Sequence, residues 1–151
     1  MAKMVRLDKV KGYPISFYNN AGKALENGMF LELTGLYSNG VTDHEAYGVK
    51  MSTETPGGTV VLHASVPHLY DERALESDFV LKQNEIGRAF ILEKGDIVTI
   101  AKGLVTGSPT VGSKVNLAAD GKLAVNVSGT FAQVIAVEKF GDQDSVVLHI
   151  F

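Results

Sequence analysis

The feature that most constrains this chain is a glycine turn that opens directly into an apolar run, and it occurs twice. Glu26-Asn27-Gly28-Met29-Phe30-Leu31-Glu32-Leu33 and Glu93-Lys94-Gly95-Asp96-Ile97-Val98-Thr99-Ile100 share it. In each, the glycine supplies a backbone position that accepts positive φ, and the run behind it reads as a strand. Leu25 precedes the first copy as Leu92 precedes the second, and Gly35-Leu36 follows as Gly103-Leu104 does. The turn glycines lie 95 − 28 = 67 positions apart and the Gly-Leu pairs 103 − 35 = 68. A further echo links Thr59-Val60-Val61-Leu62-His63 to Ser145-Val146-Val147-Leu148-His149, at an offset of 145 − 59 = 86. The preserved order points to two related halves, 21–66 and 88–151, the later one longer by roughly twenty residues. Chance similarity of short apolar strings is the competing explanation. The extra residues are expected to form a hairpin at Asp120-Gly121, a favoured two-residue turn, between Val115-Asn116-Leu117 and Leu123-Ala124-Val125.

The rest of the chain is punctuated in the same way. Sixteen glycines divide short apolar runs at 29–34, 46–51, 59–64, 131–137 and 145–151, so the fold class is mainly β. The expected architecture is a compact barrel or sandwich of short antiparallel strands. At most one short helix is expected, at 71–77, where Tyr70, Ala74 and Leu75 fall at i, i+4 and i+5. Pro14 cannot donate to a ladder, which makes 13–18 an edge strand or a clasp on another surface. Residues 1–20 read as an extended N-terminal arm and 21–151 as a single β-rich domain. At 151 residues such a domain buries enough surface to dispense with metals and disulfides.

Several functions are excluded or left without support. The chain has no cysteine, which rules out a thiol nucleophile, a cysteine zinc site and a disulfide scaffold. No apolar run reaches the length of a membrane-spanning helix. The net charge of −3 is uneven: residues 1–20 carry 4 − 1 = +3 and the remainder 10 − 16 = −6. A basic segment on an acidic body suits docking to an acidic protein surface, whereas four cations without an aromatic-and-basic stripe make a poor nucleic-acid footprint. His63, His68, Asp71 and Glu72 are the densest group of acid-base residues, but Pro67 breaks any helical zinc spacing between the histidines, and a solvated strand end is the simpler reading. Asp43-His44-Glu45 reads as surface. Asp142-Gln143-Asp144 lacks the remainder of a calcium loop. No nucleophile elbow and no phosphate-binding glycine loop follows a strand. No catalytic, cofactor-binding or metal-binding residue is therefore assigned.

Over residues 67–151 the chain resembles head decoration, or cement, proteins of tailed bacteriophages. Leu69-Tyr70-Asp71-Glu72, Asp78-Phe79-Val80, Gly87-Arg88-Ala89-Phe90 and Lys94-Gly95-Asp96-Ile97 carry the resemblance. Val111-Gly112-Ser113-Lys114-Val115, Asp120-Gly121-Lys122-Leu123 and Ala132-Gln133-Val134 are similar to the glycine-punctuated β repeats of capsid-stabilising proteins. The resemblance implies a virion protein on the capsid exterior, assembled in the host cytoplasm, that stabilises the shell by bridging major capsid subunits. It also implies a homo-oligomer, with a trimer favoured; the residues themselves lead to the expectation of no cofactor, no nucleic-acid partner and no membrane partner. Met4, Val5, Leu7, Tyr13, Ile15, Phe17 and Tyr18 are then the candidate capsid or subunit contacts in the arm, by apolar anchoring or strand addition. The alternatives are a β-barrel module for a small ligand, another phage role in the tail or head completion, and an enzyme using His63 or His68 with Asp71.

Overall fold

The computed structural model describes residues 5–36, 47–53, 58–65, 81–82, 85–125, 130–140 and 143–151. The glycine turns do what their sequence requires. Gly28 and Gly95 adopt φ of 93° and 91°, and each turn closes on its own glutamate: Met29 N–H donates to Glu26 O, and Asp96 N–H to Glu93 O. Each turn then clips onto the end of an antiparallel neighbour. Gly28 N–H donates to His63 O and receives His63 N–H at Met29 O, both at 2.9 Å. Gly95 N–H donates to Ile150 O (2.8 Å) and Ile150 N–H returns to Asp96 O (2.9 Å). The equivalent of His63 is thus Ile150, not His149, so the sequence echo is one residue out of register. In a strand that slip exchanges the two faces: His63 and Ile150 are both buried, while His149 is partly exposed.

Five strands, β2 (Tyr13–Tyr18), β3 (Phe30–Leu36), β4 (Tyr47–Met51), β5 (Val60–His63) and β6 (Ile86–Ile91), close a barrel in the order β2-β4-β3-β5-β6. The other seven are β1 (Val5–Lys9), β7 (Ile97–Ala101), β8 (Val105–Thr106), β9 (Lys114–Leu117), β10 (Leu123–Val125), β11 (Ala132–Phe140) and β12 (Gln143–Ile150). They form one sheet in the order β1-β7-β12-β11-β9-β10-β8. The protein is therefore mainly β, with a barrel and a second sheet together. Pairing is antiparallel except between β2 and β4 and between β8 and β10, which are parallel. Among the described residues helical turns are limited to 3-10 segments at 102–104 and 119–121. The helix expected at 71–77 lies outside the described residues.

Alternation along the strands divides the apolar side chains between two cores. Leu31 and Val61 point into the barrel beside Ile15, Phe17, Val49 and Ala89. Their neighbours Phe30 and Leu62 point outwards and meet Val98, Ile100, Val146 and Leu148 of the sheet. The Phe30 ring stands edge-on to Phe131, with centroids 5.2 Å apart. The β9–β10 hairpin forms at Asp120-Gly121 as expected, with Leu117 opposite Leu123. Both turn residues have positive φ, 60° and 72°, the requirement of a twisted two-residue hairpin. Its tip fastens the sheet to the barrel, since Gly121 N–H donates to Ser52 O at 3.1 Å. An added Cβ at Gly121 would sit 2.7 Å from Phe30 O.

The first twenty residues are not a free arm where they are described. β1 pairs with β7 from Val5 to Lys9, and β2 lies between β4 and β6 in the barrel. The reason is burial: Phe17 is wholly enclosed, and a detached segment would return that ring to water at a cost of about 1.5–3 kcal/mol. Pro14 fits this arrangement because β4 reaches β2 only at Phe17 and Tyr18. Pro14 lies opposite Phe90 of β6 on one side, and among the described residues β4 does not pair with it on the other, so a residue without an N–H stands where one flank of the strand carries no ladder.

Candidate functional site

The seven residues expected to make contacts do not form one surface. Ile15 and Phe17 belong to the barrel core, and Val5 packs partly against the core of the sheet. Leu7 is at the sheet edge and 36 % exposed, Tyr13 is 59 % exposed on the barrel, and Tyr18 is half-buried. Met4 lies outside the described residues. The charge of this segment is also partly consumed within the molecule. Arg6 Nε donates to Asp8 (2.7 Å) and Arg6 Nη2 to Glu138 (2.8 Å), while Thr99 Oγ1 donates to Asp8 Oδ2 (2.6 Å). Glu138, ahead of Asp8, holds the guanidinium above its ordinary pKa.

A second local device secures the connection between β1 and β2. Asp96 is fully buried, and its carboxylate accepts three backbone N–H groups: Lys11 (2.9 Å), Gly12 (3.3 Å) and Glu93 (2.8 Å). Charge-assisted bonds of this kind stabilise an enclosed carboxylate without a cation. The side chain therefore binds the turn before β7 to the crossing from sheet to barrel.

His63 is the one histidine of the expected acid-base group that the structure describes, and it is neither solvated nor accessible. It is 0 % exposed. Nδ1 lies 2.8 Å from Glu26 O and Nε2 lies 2.7 Å from Ser65 Oγ. The carbonyl can only accept, so Nδ1 carries the proton and the serine hydroxyl donates to Nε2. Ser65 Oγ in turn accepts Arg88 N–H at 3.1 Å. Asn27 braces the same point by exchanging bonds with the backbone of Ser65, its Nδ2 donating to the carbonyl (3.0 Å) and its Oδ1 accepting the N–H (2.9 Å). The imidazole meets the Phe17 ring edge-on at 5.3 Å. Burial lowers the His63 pKa to about 4, which keeps the ring neutral near neutral pH.

A serine hydroxyl donating to an imidazole is the beginning of a nucleophilic pair. Here both groups are enclosed, and the pair acts as a joint between the 26–29 turn, β5 and β6. Its sequence signal was the position of His63 within the apolar run Val60-Val61-Leu62-His63-Ala64, which marks burial more strongly than the polarity of histidine marks exposure. His68, Asp71, Glu72, Asp43, His44 and Glu45 lie outside the described residues. Among the described residues no three acidic or histidine side chains gather in a metal-binding group.

Exposed apolar and polar side chains remain on both the sheet and the barrel. On the sheet, Ile135 and Val137 of β11 are 43 % and 40 % exposed. On the barrel, Ile86 lies opposite Tyr18 and Arg88 opposite Ser16. No protein-family model matches the chain, and no curated protein matches its sequence. The solved structures do provide a match, to the crystal structure of the head fiber gp8.5 N base in bacteriophage phi29. The chain folds like that head-fibre base. The TM-score is 0.53 at 11 % sequence identity, and the match covers 93 % of this chain and 94 % of the head-fibre chain. The likeness spans barrel and sheet together and is a likeness of fold.

Proposed function

We propose that this protein is a structural component of a tailed-phage head, binding the exterior of the capsid and stabilising it by bridging major capsid subunits. The observation that carries this reading is the end-to-end fold match to a phage head-fibre base. The molecule's own construction supports it. Two sheets share packed cores, the hairpin at Asp120-Gly121 fastens one to the other, and exposed apolar side chains remain on both. A rigid block of this kind can hold two subunits at a fixed spacing with no catalytic group. The barrel interior is occupied by Phe17, Leu31, Val49, Val61 and their neighbours, which leaves the small-ligand reading without the central cavity it requires.

Because the arm candidates Ile15 and Phe17 are enclosed, attachment is assigned to exposed faces and not to an extended N-terminal segment. Co-sedimentation with expanded capsid shells tests the proposal. Saturable binding, with a rise in the temperature or chaotrope concentration at which the shells disassemble, is the expected result. Shells that bind none of the protein at saturating concentration would overturn it.

A further inference from the structure

Sheet edges decide whether strand pairing can continue into another molecule. Two of the edges in this protein are blunted. β1 carries Arg6, Asp8 and Lys9 and a register break between Leu7 and Lys9, and β8 has two residues. β11 differs. It runs from Ala132 to Phe140 with β12 on one side, but β9 accompanies its other side only at Ala132 and Gln133. Val134 then spends both backbone groups on the 112–113 loop, its N–H donating to Ser113 O (2.8 Å) and its carbonyl accepting Gly112 N–H (2.7 Å). At Ile135 a bulge turns the strand away. Among the described residues nothing pairs with the outer edge from Ile135 to Phe140, and Ile135, Val137, Glu138 and Lys139 along it are all exposed.

We infer that this edge pairs with the same edge of a second copy of the chain, antiparallel about a two-fold axis at Val137. Charge and space select the register. An axis at Glu138 or at Lys139 sets two like charges face to face, which opposes pairing. An axis at Ala136 brings the partner's residue 138 opposite Val134, whose backbone groups are already taken. An axis at Val137 avoids the first fault and moves the second to the end of the strand: the partner's Phe140, the last residue of β11, falls opposite Val134, and 135 to 139 are left to pair. It sets Val137 against its own copy, Ala136 against the partner's Glu138, and Ile135 against the partner's Lys139, whose aliphatic stem can lie along the isoleucine. Glu138 is already paired with Arg6 of its own copy at 2.8 Å, so its carboxylate does not enter the seam unneutralised. Two seven-stranded sheets become one continuous sheet, and a two-fold contact closes as a dimer where the decoration-protein resemblance implied a trimer.

The chain has no cysteine, so single thiols report this register directly. Directly opposed residues of an antiparallel pair have Cα atoms about 4.5–5.5 Å apart, within the roughly 4.4–6.8 Å that a disulfide spans. Val137→Cys should form a covalent dimer on mild oxidation. Ile135→Cys and Lys139→Cys should each remain largely uncrosslinked alone and crosslink when mixed. Light scattering should give the unmodified chain about twice its 16.2 kDa, and Val137→Lys, which sets two ammonium groups at the axis, should return it to monomer with an unchanged circular dichroism spectrum. A monomeric unmodified chain, equal crosslinking at all three positions, or a persistent Val137→Lys dimer would each overturn the inference. So would an edge protected from hydrogen exchange only when shells are added, which would identify the added strand as one from a capsid protein. Shell binding by a monomer would leave the head-component reading standing while removing the dimer.

Discussion

Lowering the pH should loosen the barrel through His63, and the structure supplies the size of the effect. The ring is enclosed, and burial brings its pKa from 6.5 down to about 4. Nearby groups offer no compensating negative charge at either nitrogen: Nδ1 meets a carbonyl and Nε2 a hydroxyl. The unfolded chain takes up the proton near pH 6.5 and the folded chain only near 4, so between those values the unfolded state binds more protons. The stabilisation is therefore complete above pH 6.5, declines as the pH falls through that window, and is gone below pH 4. With a difference of 6.5 − 4 = 2.5 in pKa, the loss is about 3 kcal/mol. Urea unfolding from pH 4 to 8, monitored by circular dichroism, measures it. The same series on His63→Gln isolates it, because carboxylates elsewhere titrate in both proteins. The unmodified chain should lead the variant at pH 7 and lose about 3 kcal/mol of that lead by pH 4. Parallel curves would show that His63 does not carry this acid sensitivity, and the account of the joint would be wrong.

Two further substitutions probe the turns and the connection between the sheets. Gly121→Ala combines a φ of 72° with a Cβ 2.7 Å from Phe30 O. It should cost about 1–3 kcal/mol in urea unfolding, and a loss within error of zero would mean that the hairpin tip does not hold the sheet against the barrel. Asp96→Asn sets an amide NH2 where three N–H donors converge. It should cost about 2–3 kcal/mol and hasten amide exchange at Lys11, Gly12 and Glu93, whereas unchanged exchange at all three would refute the clamp.

The part of the fold that was legible from sequence is the part that is local. Gly28 and Gly95 had to turn, Asp120-Gly121 had to make a hairpin, and the apolar runs between the glycines had to be strands. Each of those statements depends on a few adjacent residues. The division into barrel and sheet depends on pairings between distant strands, such as β2 with β6 and β1 with β7, which no short window contains. The arm was misread for that reason. Its cations and Pro14 are visible locally, but the partners that enclose Phe17 are contributed by residues 25 to 89. The echo of His63 in His149 was likewise a match of letters. Pairing register sets the true correspondence, one residue further on.

The candidate contact surface was less legible than the fold. The exposure of Ile135 and Val137 follows from where β9 stops pairing with β11, and the apolar spelling of 131–137 reads as buried strand throughout. His63 was misjudged in the opposite sense, because a titratable side chain inside an apolar run can be satisfied entirely by a carbonyl and a hydroxyl.

The measurement that bears most directly on the central claim is a reconstruction of expanded phage heads incubated with the purified protein. The account predicts density for a five-stranded barrel joined to a seven-stranded sheet at regularly repeated sites on the outer surface, touching more than one capsid subunit. Bare heads at saturating protein, or density confined to the tail or the head interior, would contradict it.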